Sequence, residues 1–214
     1  MGLATNANLK RWGKHLNAKC NLCKNRETLH HVLNNCQNML DRYLWRHNSI
    51  LQYIVNSIRE TCSHDEINIY ADLPYQHFGN STVPTDIVIT AQKPDLVIVN
   101  KSIKKVTILE LSVPFETNIE KTHQIKVDRY ANLISDIQNQ NFDTQYYPIE
   151  IGSRGYISKE NEARLKYFFK TNAKVNFNKL KQDICKIALI SSFIIFHAKY
   201  EPAWISPPYV TFSS

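Results

Sequence analysis

Three cysteines and two adjacent histidines fall inside the stretch CNLCKNRETLHHVLNNC, residues 20–36. The spacing Cys20-x2-Cys23-x7-His31-x4-Cys36 puts two thiolates on one tight turn and takes an imidazole and a third thiolate from a short helical segment. Three sulfurs and one nitrogen form a closed tetrahedral donor set, the usual composition of a structural zinc site, with no position open to water. A metal ion held there supplies folding energy that so short a segment cannot draw from apolar burial. His31 is the preferred nitrogen donor; His30 is the alternative, with intervals of x6 and x5, or else an outer support or solvent-facing group. Cys62 and Cys185 lie on apolar helical faces and read as core residues. Five cysteines, clustered rather than spread, point to a reducing compartment and away from a secreted disulfide scaffold.

The second constellation is KPDLVIV followed by VTILELSVPFE. Asp95 opens one Val/Ile-rich block and Glu110 sits inside the next, with 14 residues between them. A charge in an apolar strand is costly unless it is paired or bound to metal. Two neighbouring strands joined by a short turn can bring both carboxylates to one sheet end. Beside a main-chain carbonyl they would offer hard oxygen ligands to Mg²⁺ or Mn²⁺, an ion able to activate water against a phosphodiester. The competing expectation is a Glu that reaches solvent or pairs with a nearby Lys. A nuclease of this type carries a lysine two residues after the acid, where this chain has Ser112. Lys126 and Tyr130, four residues apart on the following helix, share a face and are the substitutes. Lys121 and Arg129 are the competing cations.

The elements that must position these groups are read from periodicity. Residues 41–62 carry Leu44, Leu51, Ile54, Val55, Ile58 and Cys62 on one helical face, with Asp41 as N-cap. A short strand is expected at 67–73. Apolar blocks at Ile87–Ile89, Leu96–Val99 and Val106–Leu111 suggest a meander, with NKSIKK as the turn between the last two. Residues 117–140 form a helix, capped by Thr117 with Glu120 three residues on and with Val127, Tyr130, Ala131, Ile134 and Ile137 facing inward. A strand ending in a glycine loop spans 144–157, and helices follow near 159–171 and 178–199. The order β-β-β-α-β-α-α after the first third defines a layered α/β domain. The expected organisation is a basic arm and metal knuckle at 1–40, a connecting helix at 41–66 and the α/β domain at 67–214.

Charge is unevenly placed. Residues 1–62 hold nine Lys and Arg against three acids, a net of +6, while the other 152 hold 17 against 16, a net of +1. A basic first third on a nearly neutral body suggests a polyanionic partner, nucleic acid before others, with a merely soluble basic surface as the simpler alternative. The first residues lack the apolar core of a secretory signal, and Met1-Gly2 with Thr5 misses the myristoylation spacing by one residue. IALISSFIIFHA, the most apolar run, is too short to cross a bilayer.

Taken in order, ANLKRWGK, the Cys-Cys-His-Cys knuckle with HVLNNC, DRYLWRHNSIL, KPDLVIV, ELSVPFE, KVDRYANL, GSRGYI and EPAW resemble the C-terminal region of site-specific non-LTR retrotransposon proteins. Those proteins carry a restriction-enzyme-like endonuclease. The resemblance covers nearly the whole chain and implies a PD-(D/E)xK-type fold: a mixed sheet flanked by helices, preceded by a zinc knuckle and a helix. It implies an endonuclease that nicks one DNA strand so that the freed 3′ end primes reverse transcription, and hence a nuclear location. Asp95 and Glu110 are then the catalytic metal ligands, Lys126 the displaced catalytic lysine and Tyr130 its neighbour, with Glu116 as an accessory acid. Cys20, Cys23, His31 and Cys36 match the knuckle and its structural zinc. Lys10, Arg11, Lys14, Arg46, His47 and Arg154 are the expected nucleic-acid contacts, although capping or packing serves Arg46 and His47 equally well. Gly152 and Gly155 are expected to allow a tight turn. In the family a reverse transcriptase precedes this region; no polymerase lies in these 214 residues. A non-catalytic binder of DNA or RNA, keeping the fold and the zinc, is the alternative.

Overall fold

A computed structural model of the chain describes residues 2–61, 67–74 and 81–212. Its centre is a four-stranded mixed sheet in the order β1-β2-β3-β4. β1 (Asn68–Ala71), β2 (Leu96–Asn100) and β3 (Lys105–Ser112) run antiparallel to one another, and β4 (Asp143–Glu150) lies parallel to β3. Helix α1 (Asn6–Arg11) precedes the knuckle, α2 (Leu40–Arg59) precedes the sheet, and α3 (Ile119–Asn139) makes the β3–β4 crossover. α4 (Lys159–Asn172) and α5 (Phe177–His197) follow. The expected α/β class and element order are both present.

Strand alternation divides the core. Leu96, Ile98, Leu109 and Leu111 point to the face covered by Ile50, Leu51, Ile54 and Ile58 of α2, Leu165 and Phe168 of α4, and Ile184 and Ile187 of α5. Val97, Val99, Val106 and Ile108 point the other way, against Tyr130, Leu133 and Ile137 of α3. The turn between β2 and β3 is fixed by Asn100, whose Oδ1 accepts from Ser102 and Ile103 backbone N–H groups. Side-chain caps start the last two helices: Ser158 accepts from Asn161 N–H, and Asn176 from Lys179 N–H.

The short strand expected at 67–73 is present as β1, but several other local expectations fail. The block Ile87–Ile89 lies in a loop, with Ile87 packed beside Val83 on the α3 face because apolar burial there needs no strand pairing. Asp41 lies inside the first turn of α2, behind Met39 at the cap position, and accepts only from Arg42 N–H. Thr117 is in a 3₁₀ turn ahead of α3 and caps nothing. Leu44 is exposed, as is Ala131, whose expected inward place is taken by Leu133. Cys62 lies outside the described residues.

The knuckle is joined to the body. Cys20, Val32, Leu33, Cys36 and Met39 share an apolar cluster with Ile195 of α5, and Phe115 and Phe196 pack on it. Glu27, fully buried, receives Lys199 Nζ at 3.0 Å and Asn6 N–H at 2.9 Å, which ties arm, knuckle and the end of α5 together. Among the described residues no helix is long and apolar enough to cross a membrane.

Candidate metal centres

The knuckle is built from a tight turn and a wide one. Lys19 and Arg26 bridge its base, Cys20 N–H donates to Asn25 carbonyl oxygen, and Lys24 adopts a left-handed φ of 66°. Thr28 Oγ1 then accepts from His31 N–H and starts the wide, π-type turn His31–Asn35. Tyr43 of α2 closes that turn: its hydroxyl donates to the carbonyl of His31 or Val32 and accepts from Cys36 N–H. The result brings ligand atoms of Cys20, Cys23, His31 and Cys36 within 4.8 Å of one another. Cys20 Sγ is 4.0 Å from Cys36 Sγ, and Cys23 Sγ is 3.2 Å from His31 Nε2. Tetrahedral zinc with bonds of about 2.3 Å to sulfur sets sulfurs roughly 3.8 Å apart, so the four groups are placed to hold a metal ion such as zinc. Burial lowers the pKa of His31, against the pull of Glu27, which favours the neutral imidazole a metal needs. Burial pushes the Cys36 thiol up to about 12, so metal binding there expels a proton. His30 is not in the cluster; it stacks on Phe115 and contacts Asn118 Nδ2.

The second centre lies where β2 begins and β3 ends. One residue before the Leu96–Leu109 pair, Asp95 stands across from Glu110, and strand alternation sends both side chains to the α3 face with Val97 and Ile108. The two carboxylates are laced into the backbone between them. Glu110 Oε2 accepts from Asp95 N–H at 3.1 Å, and Asp95 Oδ2 from Leu111 N–H at 2.7 Å. Lys126 Nζ donates to Glu110 Oε1, so of Lys121, Lys126 and Arg129 it is Lys126 that reaches the acids. Tyr130 donates to Lys93 carbonyl oxygen, next to Pro94, and pins α3 over the strand entrance. Glu110 is only 2% exposed. Burial, reinforced by the Asp95 charge and opposed by Lys126, raises its pKa to about 7.

His47 reaches this point from α2. Its Nε2 is 3.2 Å from Asp95 Oδ2 and 3.3 Å from Leu111 carbonyl oxygen, and its Nδ1 is 3.0 Å from Asn48 Oδ1. Burial pulls its pKa down, but Asp95 and Asn48 outweigh that and lift it to about 9. His47, expected to meet DNA, therefore meets Asp95.

The other expected contacts separate. Lys10, Arg11 and Lys14 are exposed. Arg46 is buried, its guanidinium donating to Ser192 Oγ and Val113 carbonyl oxygen and lying over Tyr43, so packing and not DNA contact is its role in this fold. Arg154 pairs with Glu116 at 2.7 Å over the Phe115 ring, which occupies both the expected phosphate contact and the expected accessory acid. Gly155 turns with φ +81°, and a Cβ there would stand 2.5 Å from Cys185 carbonyl oxygen; a Cβ at Gly152 would meet the Glu116 carboxylate at 2.7 Å.

Sequence reasoning missed Glu150, which is fully buried and faces His123 Nδ1 at 3.2 Å, with Arg164 Nη1 at 3.8 Å. It pairs in register with Ser112, two residues along β3 from Glu110 and on the same face. The signal was available: YYPIEIG places a lone acid in an apolar strand just as VTILELSV does. No family model matches the chain, and no curated protein matches it.

Proposed function

We propose that the chain is a divalent-metal-dependent endonuclease that nicks DNA, with a zinc-bearing knuckle and arm that hold the nucleic acid. The observation that carries this reading is the interlocking of Asp95 and Glu110, whose carboxylates accept from Leu111 N–H and Asp95 N–H respectively, with Lys126 on Glu110. Asp95, Glu110 and the Leu111 carbonyl are three oxygen donors of the hard type that Mg²⁺ and Mn²⁺ take. His47 and Lys126, the two cations against those acids, stand where an ion's charge would be needed. Such an ion, when bound, polarises a phosphodiester and makes a bound water acidic. Asp95 and Glu110 would hold it, and Lys126 would then be free to hold a phosphate oxygen or orient the water. Tyr130 keeps α3 at the strand entrance while Lys126 changes partners.

The α-β-β-β-α-β order from α2 to β4, with one acid just before β2 and another on β3, agrees with the restriction-endonuclease-like fold that the sequence resemblance implies. The knuckle meets this end of the sheet: Asn34 Nδ2 donates to Val113 carbonyl oxygen at 2.7 Å, three residues beyond Glu110 along the chain. Nucleic acid held by Lys10, Arg11, Lys14 and the knuckle would lie beside the acids, and the nuclear location implied by the resemblance is part of the same proposal. The test is conversion of supercoiled plasmid to open circle with Mg²⁺ or Mn²⁺, repeated with Asp95→Ala. Metal-dependent nicking abolished by the substitution supports the enzyme. Salt-sensitive binding without cleavage by the parent chain refutes it and leaves a nucleic-acid binder.

A further inference from the structure

We infer that His123, held by Glu150, is the general base of the proposed reaction and takes a proton at Nε2 from the water that attacks the phosphodiester. The inference rests on reading the Asp95–Glu110 end of the sheet as a nuclease site and supplies the proton acceptor that this site needs.

The two side chains are arranged as an imidazole and its orienting carboxylate. Glu150 is fully buried, and its oxygens lie 3.2 and 3.3 Å from His123 Nδ1. Burial raises the Glu150 pKa, and His123, Asn161 and Arg164 each pull it back toward the charged form. A carboxylate can only accept, so Nδ1 carries the proton and the lone pair of the neutral ring is on Nε2. Arg164 Nη1, 3.3 Å from Nδ1, turns to the same carboxylate at 3.8 Å and to Asn161 Oδ1 at 3.3 Å. Every hydrogen bond of the ring among the described residues is thus made on the Nδ1 side. The imidazole is 17% exposed, against 1% for the Glu150 side chain, so its outer edge is the one a substrate reaches.

Placement is the second observation. His123 and Lys126 are three residues apart on α3 and share a face, with about 5–6 Å between their Cβ atoms. Below them, Glu150 is in register with Ser112, two residues beyond Glu110 on β3 and on the same face. Tyr146 donates to Lys126 carbonyl oxygen at 3.0 Å and fixes α3 over β4. The pairs Lys126–Glu110 and His123–Glu150 therefore stand side by side. A base reaches its water at about 2.6–3.2 Å, and an aligned water stands about 3–3.5 Å from the atom it attacks. Together these spans match one turn of helix, so a phosphate met by Lys126 puts its attacking water within reach of His123. Ser112 Oγ, next to Glu150 on this face, is buried with no hydrogen-bond partner among the described residues, and is free to hold the same water. As the water oxygen bonds to phosphorus, its proton passes to Nε2 and the bond from phosphorus to the 3′ oxygen breaks. The 3′ oxygen takes a proton from solvent, and His123 returns its own to solvent.

The test uses the full chain with a zinc-loaded knuckle, supercoiled plasmid, and Mg²⁺ or Mn²⁺. His123→Asn keeps an amide N–H near the Nδ1 position for Glu150 but removes Nε2. His123→Ala leaves a space that free imidazole can enter. Both are expected to nick about 10²-fold more slowly or worse while binding DNA like the parent chain. Imidazole is expected to restore part of the rate to His123→Ala, in proportion to its concentration, which a merely structural histidine would not allow. Parent-like nicking by His123→Asn, or a loss in His123→Ala that imidazole leaves unrestored, overturns the inference. Asp95→Ala separates the two readings. If it abolishes nicking while the His123 variants nick normally, only the base assignment falls. If Asp95→Ala nicks like the parent, or the parent does not nick, the carboxylate-pair reading falls as well.

Discussion

Lys199 offers the sharpest test of how the knuckle and arm are held. Its ammonium is 4% exposed and donates to Glu27 Oε1 at 3.0 Å and to Ala4 carbonyl oxygen at 2.6 Å, while Glu27 is wholly buried. Lys199→Met keeps an unbranched aliphatic side chain but removes the ammonium that lies over the Phe196 and Tyr200 rings and strands a buried carboxylate. Removing one partner of a buried pair costs about 3–5 kcal/mol. Asn6 N–H and Nδ2 still donate to Glu27, at 2.9 and 3.2 Å, which favours the lower half of that range. For a chain of this length each kcal/mol moves Tm by about 2–4 °C, so a fall of roughly 6–16 °C is expected by calorimetry on the zinc-loaded protein. Adding Glu27→Gln removes the stranded charge and keeps an acceptor for Asn6, so the double variant should recover more than half of the loss. A single variant within about 1 kcal/mol of wild type, or a double variant no better than the single, refutes the argument that this pair welds the arm to α5.

Glu110 gives a pH dependence of definite sign. Its folded pKa of about 7 exceeds the ordinary 4.5, so the unfolded chain loses its proton first and stability falls as pH rises from 4.5 to 7; urea titrations should show that slope flattened in Glu110→Gln. Cys23→Ser removes one of four clustered ligands, and because the same cluster packs on Ile195, loss of bound zinc (by chelator-dye assay) should come with a lower Tm for the whole chain. Gly155→Ala puts a methyl group 2.5 Å from Cys185 carbonyl oxygen at a φ of +81°, and should cost on the order of 1–3 kcal/mol in denaturant unfolding. Reversing Lys10, Arg11 and Lys14 to Glu should weaken DNA binding and, if each contacts one phosphate, reduce the slope of log K against log salt by roughly 2.7.

How much of this was legible depended on whether the signal was local. Glu110 stood out because a carboxylate inside VTILELSV has to be compensated, and the structure supplies Asp95 N–H and Lys126. Lys126 was visible because it shares a helical face with Tyr130, and the knuckle because its spacing confines four ligands to 17 residues. His47 was visible only as part of a basic-looking WRHN. Its place beside Asp95 arises from packing α2 across the sheet end, 48 residues away in sequence, and no periodicity carries that. Arg42 shows the same limit: it looks like a solvated helix charge, yet its guanidinium donates to the carbonyls of Ala198 and Glu201 under Trp204, more than 150 residues on. The loop at Ile87–Ile89 failed for the opposite reason. Ile87 and Val88 pack on the α3 face without a strand, while Ile89 is exposed, so the apolar block reports only the burial of its first two residues.

These corrections relocate the positive charge that the sequence assigned to the first third as a whole. Arg42 and Arg46 are consumed inside the fold. Glu27, the sole acid in residues 1–40, is buried against Lys199, so it offsets nothing outside. What faces solvent in residues 1–40 is Lys10, Arg11, Lys14, Lys19, Lys24 and Arg26, with no exposed acid among them. The partly exposed Trp12 lies in the same stretch. A polyanion would thus be drawn to the arm and knuckle and not to α2, and screening at physiological salt confines that pull to about 8 Å. The knuckle touches the chain just past Glu110 through Asn34 and Val113, so under the proposed function a strand held on the basic surface would lie toward Asp95 and Glu110. The burial of Glu27 has two effects: it fixes the arm to the body, and it leaves the surface of residues 1–40 without the one acid that would repel the proposed polyanion.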